Sequence, residues 1–209
     1  MSDDPLERVY AAKTDGELAD AYSAWAAGYD RQTAAMGYCL PFLVGGWIAR
    51  HVPQGDGPLL DAGCGTGLSG PALAALGYGD IEGLDMSDEM LAVARGRGAY
   101  GNLVAGKLGD ALPWPDGHFA AVFSTGVFTE GHAPASALDE IVRITRPGGH
   151  VILTVRDTVL AAGGFASRFA AIEDAGLWRL VERSAPFRAF AIDEPEVLVC
   201  AFVFRIAAA

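Results

Sequence analysis

Two hydrophobic patterns alternate along the chain, one recurring at three- and four-residue steps and the other in short unbroken runs. Leu18, Tyr22, Trp25, Ala26 and Tyr29 mark one face of a helix over residues 17–30. A second helix is predicted over 41–50, before a turn-rich approach through Pro53, Gly55, Gly57 and Pro58. Strand and helix then take turns: strand 58–62, helix 68–76, strand 81–84, helix 87–97 with Ser87 as N-cap and Met90, Leu91 and Ala94 as its apolar stripe. Strands follow at 102–105 and 119–124, then a helix over 135–145 stopped by Arg146-Pro147-Gly148-Gly149, then a β-branched run over 151–155. Such alternation predicts a parallel sheet with helices on both faces. The last third breaks the rhythm, with a helix over 164–175 and two strands, 177–183 and 197–206, that have no helical pattern between them. A parallel neighbour needs a crossover of about a dozen residues or more, so these two are expected to pair antiparallel.

No repeat, low-complexity tract or long linker interrupts the chain, which reads as one domain over residues 1–209, a helical extension (1–52) followed by an α/β core (53–209). At 209 residues and 51% hydrophobic content the chain can bury a proper core. Its 26 acidic against 15 basic side chains give a net charge of −11, which repels a phosphate backbone, so no DNA partner is expected and small-molecule chemistry is. MSDDPLERVY has neither a basic start nor an apolar core, so no secretory leader is expected. The apolar stretch 38–49 contains Pro41, Gly45 and Gly46 and falls short of the roughly 20 residues a bilayer demands, so no membrane partner is expected and a cytoplasmic location is. Cys39, Cys64 and Cys200 are odd in number and widely spaced, which fits buried small hydrophobes in place of a disulfide framework or a metal site.

Glycine, 27 residues, is about 13% of the chain against a usual share of about 7%. Part of the excess lies in Leu59-Leu60-Asp61-Ala62-Gly63-Cys64-Gly65-Thr66-Gly67, a strand running into a glycine loop at the mouth of a helix. Glycines there permit a tight turn and the approach of a ligand to bare backbone, while the helix start offers free N–H groups. Gly65-Thr66-Gly67-Leu68-Ser69-Gly70 also matches a dinucleotide fingerprint taken literally, a weak signal by itself. A loop beginning at Gly63 leaves 59–62 as the strand and is the cleaner register. Asp85 ends the next strand 18 residues after Gly67, where a carboxylate can accept both hydroxyls of a ribose. That spacing supports a nucleoside ligand and does not separate a nicotinamide dinucleotide from S-adenosylmethionine. Asp110 ends the following unit, where it can receive an adenine amino group.

With these residues in place the sequence resembles a class I S-adenosylmethionine-dependent methyltransferase. LLDAGCGTG resembles its first motif, IEGLDMSDEML the acidic second, GDALPWPDGHFAAVFSTGVF the adenine loop and fourth strand, and ITRPGGHVILTVR the entry to the fifth. AYSAWAAGYD and GVFTEGHAP further resemble the methyltransferase-like family named for the Williams-Beuren region. The resemblance implies an α/β, Rossmann-like, seven-stranded, mostly parallel sheet of order 3-2-1-4-5-7-6, strand 7 antiparallel, with helices on both faces and an N-terminal helical lid. It also implies S-adenosylmethionine as cofactor: its methionine part on the Gly63, Cys64, Gly65 and Gly67 loop, its ribose on Asp85 beside Met86, its adenine by Asp110, Ala111 and Leu112, and Thr125 near the transferable methyl. Tyr22, Trp25 and Tyr29 resemble the lid aromatics that cover the cofactor, although core packing explains the same spacing.

Methyl transfer from a sulfonium is an in-line displacement, so alignment in a water-poor pocket does much of the work. Where the acceptor is a hydroxyl or a protonated amine a side chain must take its proton, and His132 and Glu130, just past the fourth strand, are the candidates. His51 and His118 receive no role. Ser124-Thr125-Gly126-Val127-Phe128 is not the Asn/Asp-Pro-Pro-Tyr/Phe element of amino-group methylators, and no Pro-Cys pair points to cytosine. Aromatics at Phe128, Phe165, Phe187 and Phe190 fit a small, partly apolar acceptor or simple core. The sequence is compatible with a methyltransferase acting on a small molecule, a nicotinamide-dependent oxidoreductase, and a non-catalytic S-adenosylmethionine-binding protein.

Overall fold

A computed structural model describes residues 5–12 and 14–208. Three helices come first: α1 (Pro5–Ala11), α2 (Asp15–Ala35) and α3 (Leu40–His51). Thr14 starts α2 with a capping box, its hydroxyl accepting from Glu17 N–H while the Glu17 carboxylate accepts from Thr14 N–H. The core then runs β1 (Leu59–Ala62), α4 (Ser69–Ala75), β2 (Ile81–Asp85), α5 (Asp88–Gly96), β3 (Asn102–Ala105), β4 (Phe119–Phe128), α6 (Ala137–Ile144), β5 (Thr145–Arg156), α7 (Asp157–Ala162), α8 (Phe165–Asp174), β6 (Trp178–Arg183), β7 (Phe187–Arg188) and β8 (Leu198–Ile206). Ser87 caps α5 as predicted, accepting from Met90 N–H at 3.2 Å. The sheet order is β3-β2-β1-β4-β5-β8-β6, all parallel up to β5, with β8 antiparallel to β5 and to β6.

That order agrees with the expected sheet, with one addition: the two-residue β7 pairs with β8, making eight strands among the described residues. Strand alternation divides the core. Leu60, Val122, Val151, Leu153, Phe202 and Phe204 meet α6 and α8 on one face, while Leu59, Ile81, Ala121, Phe123, Ile152 and Val203 meet α3 and α4 on the other. Phe128, Phe165 and Phe190 are buried core residues, which removes them from the expected acceptor pocket; Phe187 is half-buried against Trp47. At Arg146-Pro147-Gly148-Gly149 the chain bulges: Thr145 already pairs with Phe119, and the ladder resumes at His150 opposite Ala121. Pro147 has no N–H to give a ladder, so strand pairing brackets the predicted breaker instead of starting after it. Among the described residues no helix is long and apolar enough to cross a membrane.

Candidate active site

Strand order reverses between β1 and β4, and in open α/β sheets such a switch opens a crevice at the carboxyl ends of the strands. Here a cleft of about 760 Å³, mouth included, runs from the β3 end (Gly106, Lys107, Leu108) past Asp85 and Met86 to Thr125, Val127 and His132. Helix α2 roofs it with Leu18, Tyr22 and Tyr29. A smaller cleft of about 320 Å³ lies on the other side of Gly63 and Gly65, walled by Tyr29, Tyr38, Asp61, Ser69 and Thr125. Thr125 lines both, and its Oγ1 is buried with no hydrogen-bond partner among the described residues.

The three loop glycines do different things. Gly65, at φ +54°, has open space where a side chain would stand, so its bare face is a cradle between the two clefts. Gly63, at φ +82°, is pressed against Val127, 2.3 Å from the place of a Cβ. Gly67 is packed by Tyr100 and Ala94, outside both clefts, and Gly70 lies within α4 under the same tyrosine ring. The second glycine of the literal dinucleotide string, Gly67, would have to lie open to a pyrophosphate, and it is covered by Tyr100 and Ala94 instead. Tyr100 completes the support by donating its hydroxyl to Asp61 at 2.8 Å. Burial pushes the Asp61 carboxyl up to about 7 against that hydrogen bond.

Asp85 stands at the end of β2 with one oxygen accepting from Gly65 N–H at 2.8 Å and the other from Ser87 N–H at 3.0 Å. Burial raises its pKa, and these backbone donors oppose the rise. Cys64 is buried, its thiol pushed well up by burial and by the nearby Asp61 and Asp85 carboxylates, so it stays a neutral thiol. Met86 lines the larger cleft. Trp25 does not; it is buried in α2, donating to Gln32, stacked on Tyr22 and edge-on to Tyr29. The segment after β3 meets the cleft at Gly106, Lys107 and Leu108 rather than at the expected Asp110, Ala111 and Leu112. Asp110 and Ala111 turn out to solvent, while Leu112 is drawn into the core and its N–H donates to Glu140.

Beyond β4, His132 lines the cleft and Glu130 does not. The exposed Glu130 accepts from Arg156 at 2.9 Å and from the Thr158 hydroxyl. Burial would raise its pKa, but these partners outweigh it and hold the carboxylate below its usual range, which corrects its candidacy as a base. His132 is held on both sides, Nε2 3.0 Å from the Tyr22 hydroxyl and Nδ1 2.8 Å from the Glu130 carbonyl oxygen. Three contacts that the sequence does not signal pin the roof. Asp30 of α2 accepts from the Thr66 hydroxyl at 2.6 Å and from Arg97, and Ser23 donates to Glu89 at 2.6 Å. Ser23 and Asp30 flank the apolar stripe and are only half-buried, so periodicity carried no signal for them. Among the described residues no three His, Cys, Asp or Glu side chains group as a metal site.

Residues 60–153 match the family described as a methyltransferase domain. The human methyltransferase-like protein 27 is 34% identical over 183 residues, covering 82% of this chain and 73% of that protein. The malonyl-[acyl-carrier protein] O-methyltransferase of Erwinia pyrifoliae is 30% identical over 175 residues, covering 83% of this chain; the chain spans only 60% of that relative's length. Among solved structures, the TehB-like SAM-dependent methyltransferase of Corynebacterium glutamicum shares the fold at a TM-score of 0.65, with 22% identity, 90% of this chain and 99% of that one covered.

Proposed function

The chain belongs to the class I S-adenosylmethionine-dependent methyltransferases, and on that premise we propose that the cleft under α2 holds the cofactor beside a small-molecule methyl acceptor. The observation that carries this placement is Thr125 Oγ1, a buried hydroxyl without a partner at the junction of two clefts, next to the open cradle at Gly65. A buried polar atom costs roughly 1–3 kcal/mol until something bonds to it, so a ligand that reaches the junction is favoured there. Asp85 would hold the ribose: its direction is fixed by Gly65 and Ser87, and a carboxylate's roughly four lone-pair sites leave capacity for a hydroxyl. Leu84, Met86, Met90 and Leu108 supply an apolar slot for the base.

When bound, S-adenosylmethionine supplies a methyl group on a sulfonium sulfur, an electrophile that needs alignment more than activation. Leu18, Tyr22 and Tyr29 exclude water from the reaction volume, and His132 takes a proton at Nε2. The Erwinia relative is named an O-methyltransferase, which supports oxygen as the acceptor atom here. Asp85→Ala tests the placement. The variant is expected to bind S-adenosylhomocysteine about 10- to 150-fold more weakly in calorimetry, the effect of one hydrogen-bonded charge of about 1.5–3 kcal/mol. Affinity equal to wild type would put the ribose elsewhere.

A further inference from the structure

Two contacts fix the protonation of His132. The Glu130 carbonyl oxygen, 2.8 Å from Nδ1, can only accept, so Nδ1 carries the hydrogen; the Thr129 hydroxyl oxygen lies 2.8 Å away on the same side. Nε2 is then a lone pair facing the cleft, and the Tyr22 hydroxyl at 3.0 Å donates to it. Burial lowers the pKa of the ring below its ordinary value, so it is neutral at neutral pH. The cleft's base is therefore already engaged, by a phenol on the roof helix.

Charge at this end of the cleft narrows what can replace that phenol. Val127, Leu18 and Ala133 surround it with apolar surface. Arg156 is paired with Glu130, and Lys107 lies at the β3 end, three strand positions or about 14 Å from β4. A carboxylate acceptor would find Arg156 already held by Glu130. Asp85, the one carboxylate among the described residues lining this cleft, is two strand positions from β4, and the Glu130 carboxylate that acts on His132 is already engaged by Arg156 and Thr158, so a protonated amine would have to compete for its counter-charge.

We propose that the methyl acceptor is a neutral, weakly acidic hydroxyl of phenolic kind, which takes the place of the Tyr22 hydroxyl at His132 Nε2. The proposal rests on the methyltransferase reading of the cleft. In the reaction the acceptor's O–H bond breaks toward Nε2, its oxygen gains the methyl, and the cofactor sulfur keeps the electron pair of the broken S–C bond, leaving as a neutral thioether. The positive charge passes from sulfonium to imidazolium, and His132 later returns its proton to water. Tyr22 is a positioning residue: it holds the base in its competent tautomer and yields to the acceptor.

The test is calorimetric titration of p-cresol, benzoate and benzylamine into the protein saturated with S-adenosylhomocysteine. p-Cresol is expected to bind at least about tenfold more tightly than either charged probe. Tyr22→Phe, which removes the internal competitor, should tighten p-cresol binding about 3- to 10-fold, and His132→Leu should weaken it about tenfold or more. Benzoate or benzylamine binding as well as p-cresol would overturn the proposal, as would weaker p-cresol binding in Tyr22→Phe. S-adenosylhomocysteine affinity, measured first, separates the two readings: its absence sinks the cofactor placement, and its presence with the wrong probe order sinks only the acceptor class.

Discussion

His132→Gln is expected to lower kcat on a phenolic acceptor by about 10²- to 10⁴-fold, the usual worth of a positioned general base. Glutamine can fill the volume of the imidazole and accept a hydrogen bond, but it cannot carry the proton away. S-adenosylhomocysteine affinity should stay at the wild-type level, because the histidine sits at the β4 end of the cleft, away from Asp85. The pH profile provides the sign. The base is active when deprotonated, and burial lowers its pKa below the ordinary 6.5, so the wild-type rate should fall only on the acid side of that value. His132→Gln should lose this acid limb along with the rate. Activity within about threefold of wild type, with the limb intact, would assign the proton to another group.

Gly63→Ala should have the largest effect on the fold itself. At φ +82° an alanine pays about 1–2 kcal/mol in backbone strain, and its Cβ would stand 2.3 Å from Val127 Cγ2, deep inside contact distance. Neither side yields readily: the Gly63 and Cys64 N–H groups both donate to the Leu84 carbonyl, and Val127 belongs to β4. Overpacking of this kind costs about 1–3 kcal/mol more, so a total of about 2–5 kcal/mol is expected, lowering Tm by roughly 4–20 °C in scanning calorimetry. Gly65→Ala separates folding from binding at the same loop. At φ +54° it carries the same backbone strain of about 1–2 kcal/mol, but its Cβ meets nothing within 4 Å, so it should escape the overpacking loss and lose cofactor affinity by filling the cradle. Equal thermal losses in the two variants would show that the glycines are not divided in this way.

The positions of strands and helices were legible because strand ends carry their own local marks, Gly63 after β1, Asp85 closing β2 and Ser87 opening α5, while the sheet order came from the resemblance to the methyltransferases. The division of labour among the glycines was not legible, since Val127 and Tyr100, which press on Gly63 and Gly67, come from distant parts of the chain. Likewise Tyr22, Trp25 and Tyr29 share one helical stripe. Periodicity identifies that stripe, but only the arrival of β4 and His132 decides that Tyr22 faces the cleft while Trp25 is buried behind it. Glu130 and His132 looked equivalent as loop residues until β5 brought Arg156 to one of them. The short α1 and α7, at seven and six residues, give too few turns for a periodic signal. Asp110 and Leu112 were expected one step too far along, because the pull of the core on Leu112 and of Glu140 on its N–H is a tertiary effect.

Titration of the purified protein with S-adenosylhomocysteine and, separately, with NAD⁺ bears most directly on the cleft as a methyl-donor site. Saturable one-to-one binding of S-adenosylhomocysteine is expected, with no comparable heat from NAD⁺, because Gly67, the glycine a pyrophosphate would have to approach, is covered by Tyr100 and Ala94, and the open cradle is at Gly65. Tighter binding of NAD⁺, or no binding of S-adenosylhomocysteine at all, would contradict it.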